Sequence, residues 1–168
     1  MLSLFCLSIV AVLLFGVAPS TDYANLPDHD IQKFVSKGMP LHDVQYEPED
    51  LVVMESSSSL VIQGVRSLRR EAYEHLLQLS LDFYEAFGKP IVVVSAYRSY
   101  QYQKNQISEA CKQSGYCARE GESEHQLGLA VDLWEASNEE KFLSKYGEYY
   151  EWLRDHAHEY GFHQSYQS

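Results

Sequence analysis

The chain has 168 residues, 45% of them hydrophobic and 13% aromatic, which excludes a disordered, collagen-like or coiled-coil protein and fits one globular domain with no room for a second. Lys and Arg number 13 against 24 Asp and Glu, a formal net charge of −11. Such a surface repels a phosphate backbone, whose binding needs Lys and Arg to displace counterions, so no nucleic-acid partner is expected. Three cysteines are too few for a disulfide-dense miniprotein or a four-cysteine zinc module, and any metal site must draw on His and carboxylates.

Leu2 to Ala18 (LSLFCLSIVAVLLFGVA) carries no charge and is apolar almost throughout. A helix apolar on every face belongs at a protein's centre or in lipid, and at this position the stretch reads as an export segment. Its length suits a signal-peptide core or a short membrane anchor. Without a Lys/Arg flank or an A-x-A cleavage site, residues 1–20 stay open between the two. Both place the rest of the chain in the periplasm or cell envelope. The exported part then contains only Cys111 and Cys117, which close a small disulfide loop in an oxidising compartment and stay as thiols in the cytosol. Their spacing fits no common zinc knuckle.

Pro27, Pro40 and Pro48 punctuate a stretch of little periodicity, read as an extended leader over 21–45 that wraps or tethers a domain over 46–168. Ser56 to Ser59 read as a surface loop. Val65, Leu68, Ala72, Leu76, Leu79, Phe83 and Phe87 recur in steps of three and four, the face of a long helix ended by Gly88 and Pro90. Ile91 to Ser95 (IVVVS) is a β-branched run that predicts a buried strand, with Tyr97 and Arg98 just past its end. The glutamine-rich stretch Ser99 to Ala110 predicts a helix with Tyr102, Gln106 and Ala110 along one side. Leu127 to Leu133 (LGLAVDL) predicts a strand whose small residues admit a close neighbour. Tyr149, Trp152, Leu153, His156, Ala157 and Tyr160 form an apolar helical stripe that stops at Gly161. Segregated helices and strands of this kind predict an α+β domain: a small antiparallel sheet with flanking helices.

The chemistry concentrates in SEHQLGLAVDL, Ser123 to Leu133. Asp132 lies between Val131 and Leu133, and a carboxylate buried there without a partner costs several kcal/mol. It must meet a cation, a metal or a set of donors, unless it points out from an edge strand. His125, seven residues earlier, offers a nitrogen, and zinc accepts both ligand types while keeping a position for water. In SAYRSYQYQ (Ser95 to Gln103), Arg98 at the end of a buried strand suits either a substrate carboxylate, which guanidinium grips with two parallel bonds, or a structural salt bridge.

Together these segments resemble the zinc D-alanyl-D-alanine carboxypeptidases, the family of the vancomycin-resistance carboxypeptidases, which shares its fold with lysostaphin-type and hedgehog metallopeptidase domains. The likeness begins at YEPEDLV (Tyr46 to Val52), passes through LRREA and SAYRSYQYQ, is strongest in GESEHQLGLAVDL and continues through WLRDHAHEYGFHQSY (Trp152 to Tyr166). It implies that His125 and Asp132 are two of three zinc ligands, and that Arg98 stabilises negative charge developing on the substrate. Gln103 and Ser123 would line the cleft around the terminal D-alanine. The implied substrate is a peptidoglycan stem peptide ending in D-Ala-D-Ala, cleaved by an exported monomer. L,D-cleavage by the same machinery and a non-catalytic wall-binding module are the alternatives.

The family's third ligand and general base come from a Glu-x-x-His element after the Tyr-Gly-Phe segment. This sequence ends at Ser168, seven residues after Gly161, without that element, so an impaired enzyme and a marginally stable sheet are expected of it. Among the other histidines, His156 reads as core, His158 as solvent-facing, and His163 as the one substitute ligand worth testing. Glu124, beside His125, is the corresponding substitute base.

Overall fold

A computed structural model of the chain describes residues 7–11, 22–114, 117–135 and 147–165, with only the backbone for 7–11, Trp134 and Glu135. The described residues form seven strands: β1 (Leu7–Ala11), β2 (Leu51–Val53), β3 (Leu60–Ile62), β4 (Ser67–Arg69), β5 (Ile91–Ser95), β6 (Ala130–Glu135) and β7 (Phe162–Gln164). The helices are α1 (Arg70–Phe87), α2 (Tyr100–Gln106), α3 (Glu109–Ser114) and α4 (Glu148–His156). The main sheet runs β3-β5-β6-β1-β7, and β2 pairs with β4 apart from it. One pair departs from the antiparallel expectation. β3 and β5 are parallel, which the 18-residue helix α1 between them permits, because parallel strands need a long crossover.

The middle of the apolar N-terminal stretch forms β1, antiparallel to both β6 and β7. The rest of residues 1–20 lies outside the described residues, Cys6 included. No helix among the described residues is long and apolar enough to cross a membrane.

Helix α1 starts later than its apolar periodicity predicts. Val65 is 79% exposed, and Ser67–Arg69 pairs in register with Leu51–Val53. The backbone N–H of Arg69 donates to Gly128, and that of Arg70 to Asp50, which holds this segment extended until Arg70. From there Ala72, Leu76, Leu79 and Phe83 are buried on one face, and Gly88 closes the helix with φ +64°. Phe83 and Phe87 meet Tyr149 and Trp152 of α4, with ring centroids 4.8–6.2 Å apart. Aromatic pairs of this kind add about 0.5–1.5 kcal/mol each beyond their buried area. His156 stacks on Trp152 at 4.7 Å and is half-buried.

The glutamine-rich helix is two helices, broken at Ile107, whose backbone is extended (φ −89°, ψ 119°). The Ser99 hydroxyl accepts from the Tyr102 N–H, and the helix phase this cap sets buries Gln103 while Tyr102 stays 46% exposed. The leader is packed down. Val35 and Leu41 join the core, and the buried Lys33 ammonium donates to the carbonyls of Ala24 and Leu26 at 2.6 and 2.9 Å. Within the serine run, Ser59 is buried, its hydroxyl 3.0 Å from that of Ser80.

Candidate active site

Leu129, Val131 and Leu133 of β6 and the residues before it belong to the hydrophobic core. Strand alternation therefore sends Asp132 to the opposite face of the sheet. A β-bulge in β5 between Val93 and Ser95 sets Ser95 opposite Asp132, and such bulges re-aim side chains. The chain then turns through Ala96 and Tyr97 to Arg98. The Arg98 guanidinium is anchored twice on the Ser95 hydroxyl, from Nε at 3.0 Å and Nη2 at 2.8 Å, and Nη2 also reaches Asp132 Oδ2 at 2.6 Å. Of the two readings the sequence left open for Arg98, a substrate carboxylate and a structural salt bridge, the structure shows the salt bridge, made with Asp132.

His125 is carried by a 3₁₀ turn, Glu124–Leu127, that ends at Gly128. Gly128 has φ +67°, and a Cβ there would lie 2.9 Å from Leu51 Cδ2 and 3.0 Å from Arg69 Cγ, so both backbone and space demand glycine. The His125 carbonyl receives N–H bonds from Arg98 and Gly128, locking the turn to the Arg98 segment. Its ring Nδ1 lies 2.7 Å from the Ala96 carbonyl. A carbonyl only accepts, so Nδ1 carries the proton and the lone pair of the neutral ring is on Nε2. That Nε2 lies 3.3 Å from Asp132 Oδ1.

Two acceptors facing each other require either a proton on Nε2 or a cation between them. Two ligands, each about 2.0–2.1 Å from a tetrahedral zinc ion, stand about 3.3–3.4 Å apart. The pair fits that group, and the Ala96 carbonyl is the kind of outer partner that orients a zinc-binding histidine. Among the described residues no cluster of three or more His, Cys, Asp or Glu side chains forms around it.

The substitutes raised from the sequence do not converge on this pair. His163 and Ala130 both pair with Val10, which sets His163 two strands from β6, about 10 Å sideways and a further two residues along from Asp132. Glu124 turns away to accept a hydrogen bond from the Ser165 hydroxyl. Its burial raises the carboxyl above the ordinary range, against the lowering effects of Ser165 and of His125.

Ser123 is buried at the start of the 3₁₀ turn. Gln103 is 1% exposed. Its Nε2 donates to the Ala118 carbonyl at 2.6 Å, and its Oε1 is buried without a hydrogen-bond partner. Cys111 and Cys117 are joined in a disulfide. Behind the turn, Gln126 is fully buried. It accepts from the Gly121 N–H at 3.0 Å and donates to the Val44 carbonyl at 2.7 Å, so the leader supports the site from behind. Sequence reasoning missed Ser95, Ala96 and Gln126. Only the polarity of Ser95 after three valines hinted at a role, because the bulge that aims it is a tertiary feature.

The site thus consists of a His–Asp pair backed by a carbonyl and an arginine within an α+β domain. The sequence profile of the VanY family, D-alanyl-D-alanine carboxypeptidase, matches residues 65–168. YodJ of Bacillus subtilis (strain 168), named there as a candidate carboxypeptidase, is 38% identical over 127 residues, covering 70% of this chain. The chain spans 46% of the length of YodJ. Among solved structures, the LdcB LD-carboxypeptidase superposes with a TM-score of 0.65 at 32% identity, over 84% of this chain and 69% of that one. A D,D-pentapeptidase VanY in complex with Zn(II), from a VanB-type resistance cassette, shares the fold. Its TM-score is 0.53 at 22% identity, over 83% of this chain and 75% of that one. The chain belongs to the VanY carboxypeptidase family.

Proposed function

We propose that this chain carries the peptidase domain of an exported, monomeric zinc carboxypeptidase that removes the terminal D-alanine from peptidoglycan stem peptides ending in D-Ala-D-Ala. The observation that carries this reading is the His125 Nε2–Asp132 Oδ1 separation of 3.3 Å, with Nδ1 held by Ala96. Zinc bound there would supply a water of lowered pKa and a Lewis acid for the scissile carbonyl. His125 and Asp132 would hold it through Nε2 and Oδ1; the second Asp132 oxygen accepts from Arg98. Arg98, anchored through Nε and Nη2, offers Nη1 to the oxygen on which negative charge develops, without reorganising during the reaction. Gln103 and Ser123 receive the terminal residue of the peptide. The resemblance to LdcB supports a second reading, L,D-cleavage by the same groups.

The test is D-alanine release, with zinc supplied, from a stem pentapeptide ending in D-Ala-D-Ala and from a tetrapeptide ending in one D-alanine. It is run on the 168-residue chain and on a form with a Glu-x-x-His segment appended after Ser168. Release from the pentapeptide by the extended form is expected, and slower release by the shorter one. Release from the tetrapeptide alone reassigns the enzyme to L,D-cleavage. Peptide binding with no hydrolysis by either form makes it a wall-binding module and overturns the proposal.

A further inference from the structure

We propose that strand β1 is a removable spacer and His163 a latent third zinc ligand: when β1 leaves the sheet, β7 closes onto β6 and brings His163 beside the pair His125–Asp132. The metal half of this statement rests on the proposed function, and the departure of β1 rests on the reading of residues 1–20 as an export segment.

Strand β1 pairs with β6 from Leu7↔Leu133 to Val10↔Ala130 and with β7 from Ile9↔Gln164 to Ala11↔Phe162, antiparallel in both cases. β6 and β7 therefore run in the same direction. Among the described residues β7 is the next strand after β6, with α4 between them. A helical crossover is the connection that parallel neighbours need, and consecutive strands of a sheet are usually neighbours. Here a strand from the other end of the sequence separates them, and it belongs to the uncharged stretch 2–18. A segment delivered to lipid or cut away during export cannot also stand in the middle of a sheet. Its departure leaves backbone N–H and C=O groups unpaired along the facing edges of β6 and β7, and direct pairing of the two strands satisfies them.

Register fixes what closure brings together. His163 and Ala130 are both partners of Val10. Aligned partners share one face of a sheet, and alternation along β6 places Asp132 on the same face as Ala130. While β1 is in place His163 stands two strand spacings from β6, about 10 Å. One spacing, about 4.8 Å, makes it the neighbour of Ala130 and the diagonal neighbour of Asp132, about 7–8 Å away and within reach of a long side chain. The His163 side chain is exposed and makes no hydrogen bond or ion pair with a described residue, so no such bond has to break. Gly161, with φ +79°, joins β7 to the preceding 3₁₀ turn and can absorb a change of direction. Just past β7, the Ser165 hydroxyl already donates to Glu124, the residue before His125, so the end of the moving strand is tied to the turn that carries the other donor. Zinc hydrolases commonly hold the metal with three protein ligands, and His163 would be the third.

Two readouts are taken on the full chain in buffer, on the full chain with phosphatidylglycerol vesicles that draw residues 2–18 into lipid, and on the Val10→Pro variant. Val10 has a partner on each side, so proline there removes a ladder bond and evicts β1. The first readout needs no metal: Ala130→Cys/His163→Cys is introduced, oxidised, and mapped by mass spectrometry. A disulfide needs Cα atoms within about 7 Å. No 130–163 link is expected for the full chain in buffer, and a link is expected with vesicles and in Val10→Pro. A link already formed in buffer, or none in either of the other samples, overturns the closure; if Val10→Pro loses its helical circular dichroism, the vesicle sample decides. The second readout is the Kd for zinc without the cysteine pair, by competition with a chromophoric chelator. It should be at least about tenfold lower in Val10→Pro than in the full chain, since even outer partners of a ligand are worth that much. Adding His163→Ala should cancel the gain, while the same change in the full chain in buffer leaves Kd unaltered. A link without the gain, or a gain that survives His163→Ala, overturns the ligand role. If no form binds zinc, the proposed function and the ligand role both fail, and the trapping experiment still decides the closure.

Discussion

The His125–Asp132 pair and the Gln103 amide are held in place by opposite means. Asp132 is aimed by strand alternation in β6, Arg98 by a bulge in β5, and His125 by a backbone carbonyl and two N–H bonds to its own carbonyl. Moving any of these atoms means breaking sheet or turn geometry. Gln103 depends on one carbonyl in an irregular loop that is stitched to a short helix by a disulfide and a lysine. Atoms suited to the chemical step are built on the rigid frame, where a displacement of about 1 Å is expensive in rate. Gln103 itself is carried by α2, but the carbonyl that orients it belongs to a loop, and loops tolerate substitution more readily than a sheet does.

The largest test of the contrast is Asp132→Ala. It removes one of the two proposed zinc donors and leaves Arg98 with an unbalanced charge in a mostly buried setting. Zinc affinity should fall at least about 100-fold, read by competition with a chromophoric chelator. Stability should fall by about 3 kcal/mol in urea unfolding. Zinc affinity unchanged by this variant would remove the His–Asp pair from the metal site.

Gly128→Ala attacks the frame from behind without touching a donor. An added Cβ has a strained φ and two contacts at or below 3.0 Å, on Leu51 and Arg69. A loss of about 2 kcal/mol is expected, and because Gly128 also donates to the His125 carbonyl, zinc affinity should drop with it. Gln103→Met is the matched change on the other flank. It deletes a buried unsatisfied acceptor together with its bond to Ala118, so the stability change should stay within about 1 kcal/mol. Zinc affinity should be unaltered while peptide affinity falls. A variant that weakened zinc through Gln103 would erase the distinction between the two regions.

The legibility of these regions in sequence follows the same division. The buried strand at Ile91–Ser95, the helix stop at Gly88 and the α+β class follow from β-branched runs and glycine chemistry, which are local. The oddity of Asp132 among apolar neighbours was legible too, because the cost of burying a carboxylate is independent of the fold. Three features were not. The helical period of Val65 and Leu68 was overridden by pairing with Leu51–Val53, the break at Ile107 has no glycine or proline to mark it, and the apolar N-terminal stretch contains a strand. The first and the third are decided by partners distant in the chain, as is the role of Gln126 beneath the site, whereas at the break Ser108 caps the next helix by accepting from the Cys111 N–H.

The leader offers the mildest perturbation, and it should loosen before the frame does. Asp28 accepts from the N–H groups of His42 at 3.0 Å and Asp43 at 2.8 Å, with Lys33 at 3.5 Å. Burial alone would push its carboxyl up, but the Asp43 and His42 N–H groups and the Lys33 charge outweigh it and hold the carboxyl below its ordinary value. A carboxylate whose folded pKa is depressed stabilises the fold above its unfolded value of about 3.9, and that contribution is lost as pH falls through the lower folded value. Amide protection of His42 and Asp43 should therefore be full at neutral pH and decline below about pH 4. In Asp28→Asn it should already be reduced at pH 7 and change little with acid. The contacts of Gln126 with Gly121 and Val44 are uncharged, so the Gly121 amide, next to the site, should keep its protection over the interval in which His42 and Asp43 lose theirs. Simultaneous loss at all three amides would show that the leader and the site unfold as one unit.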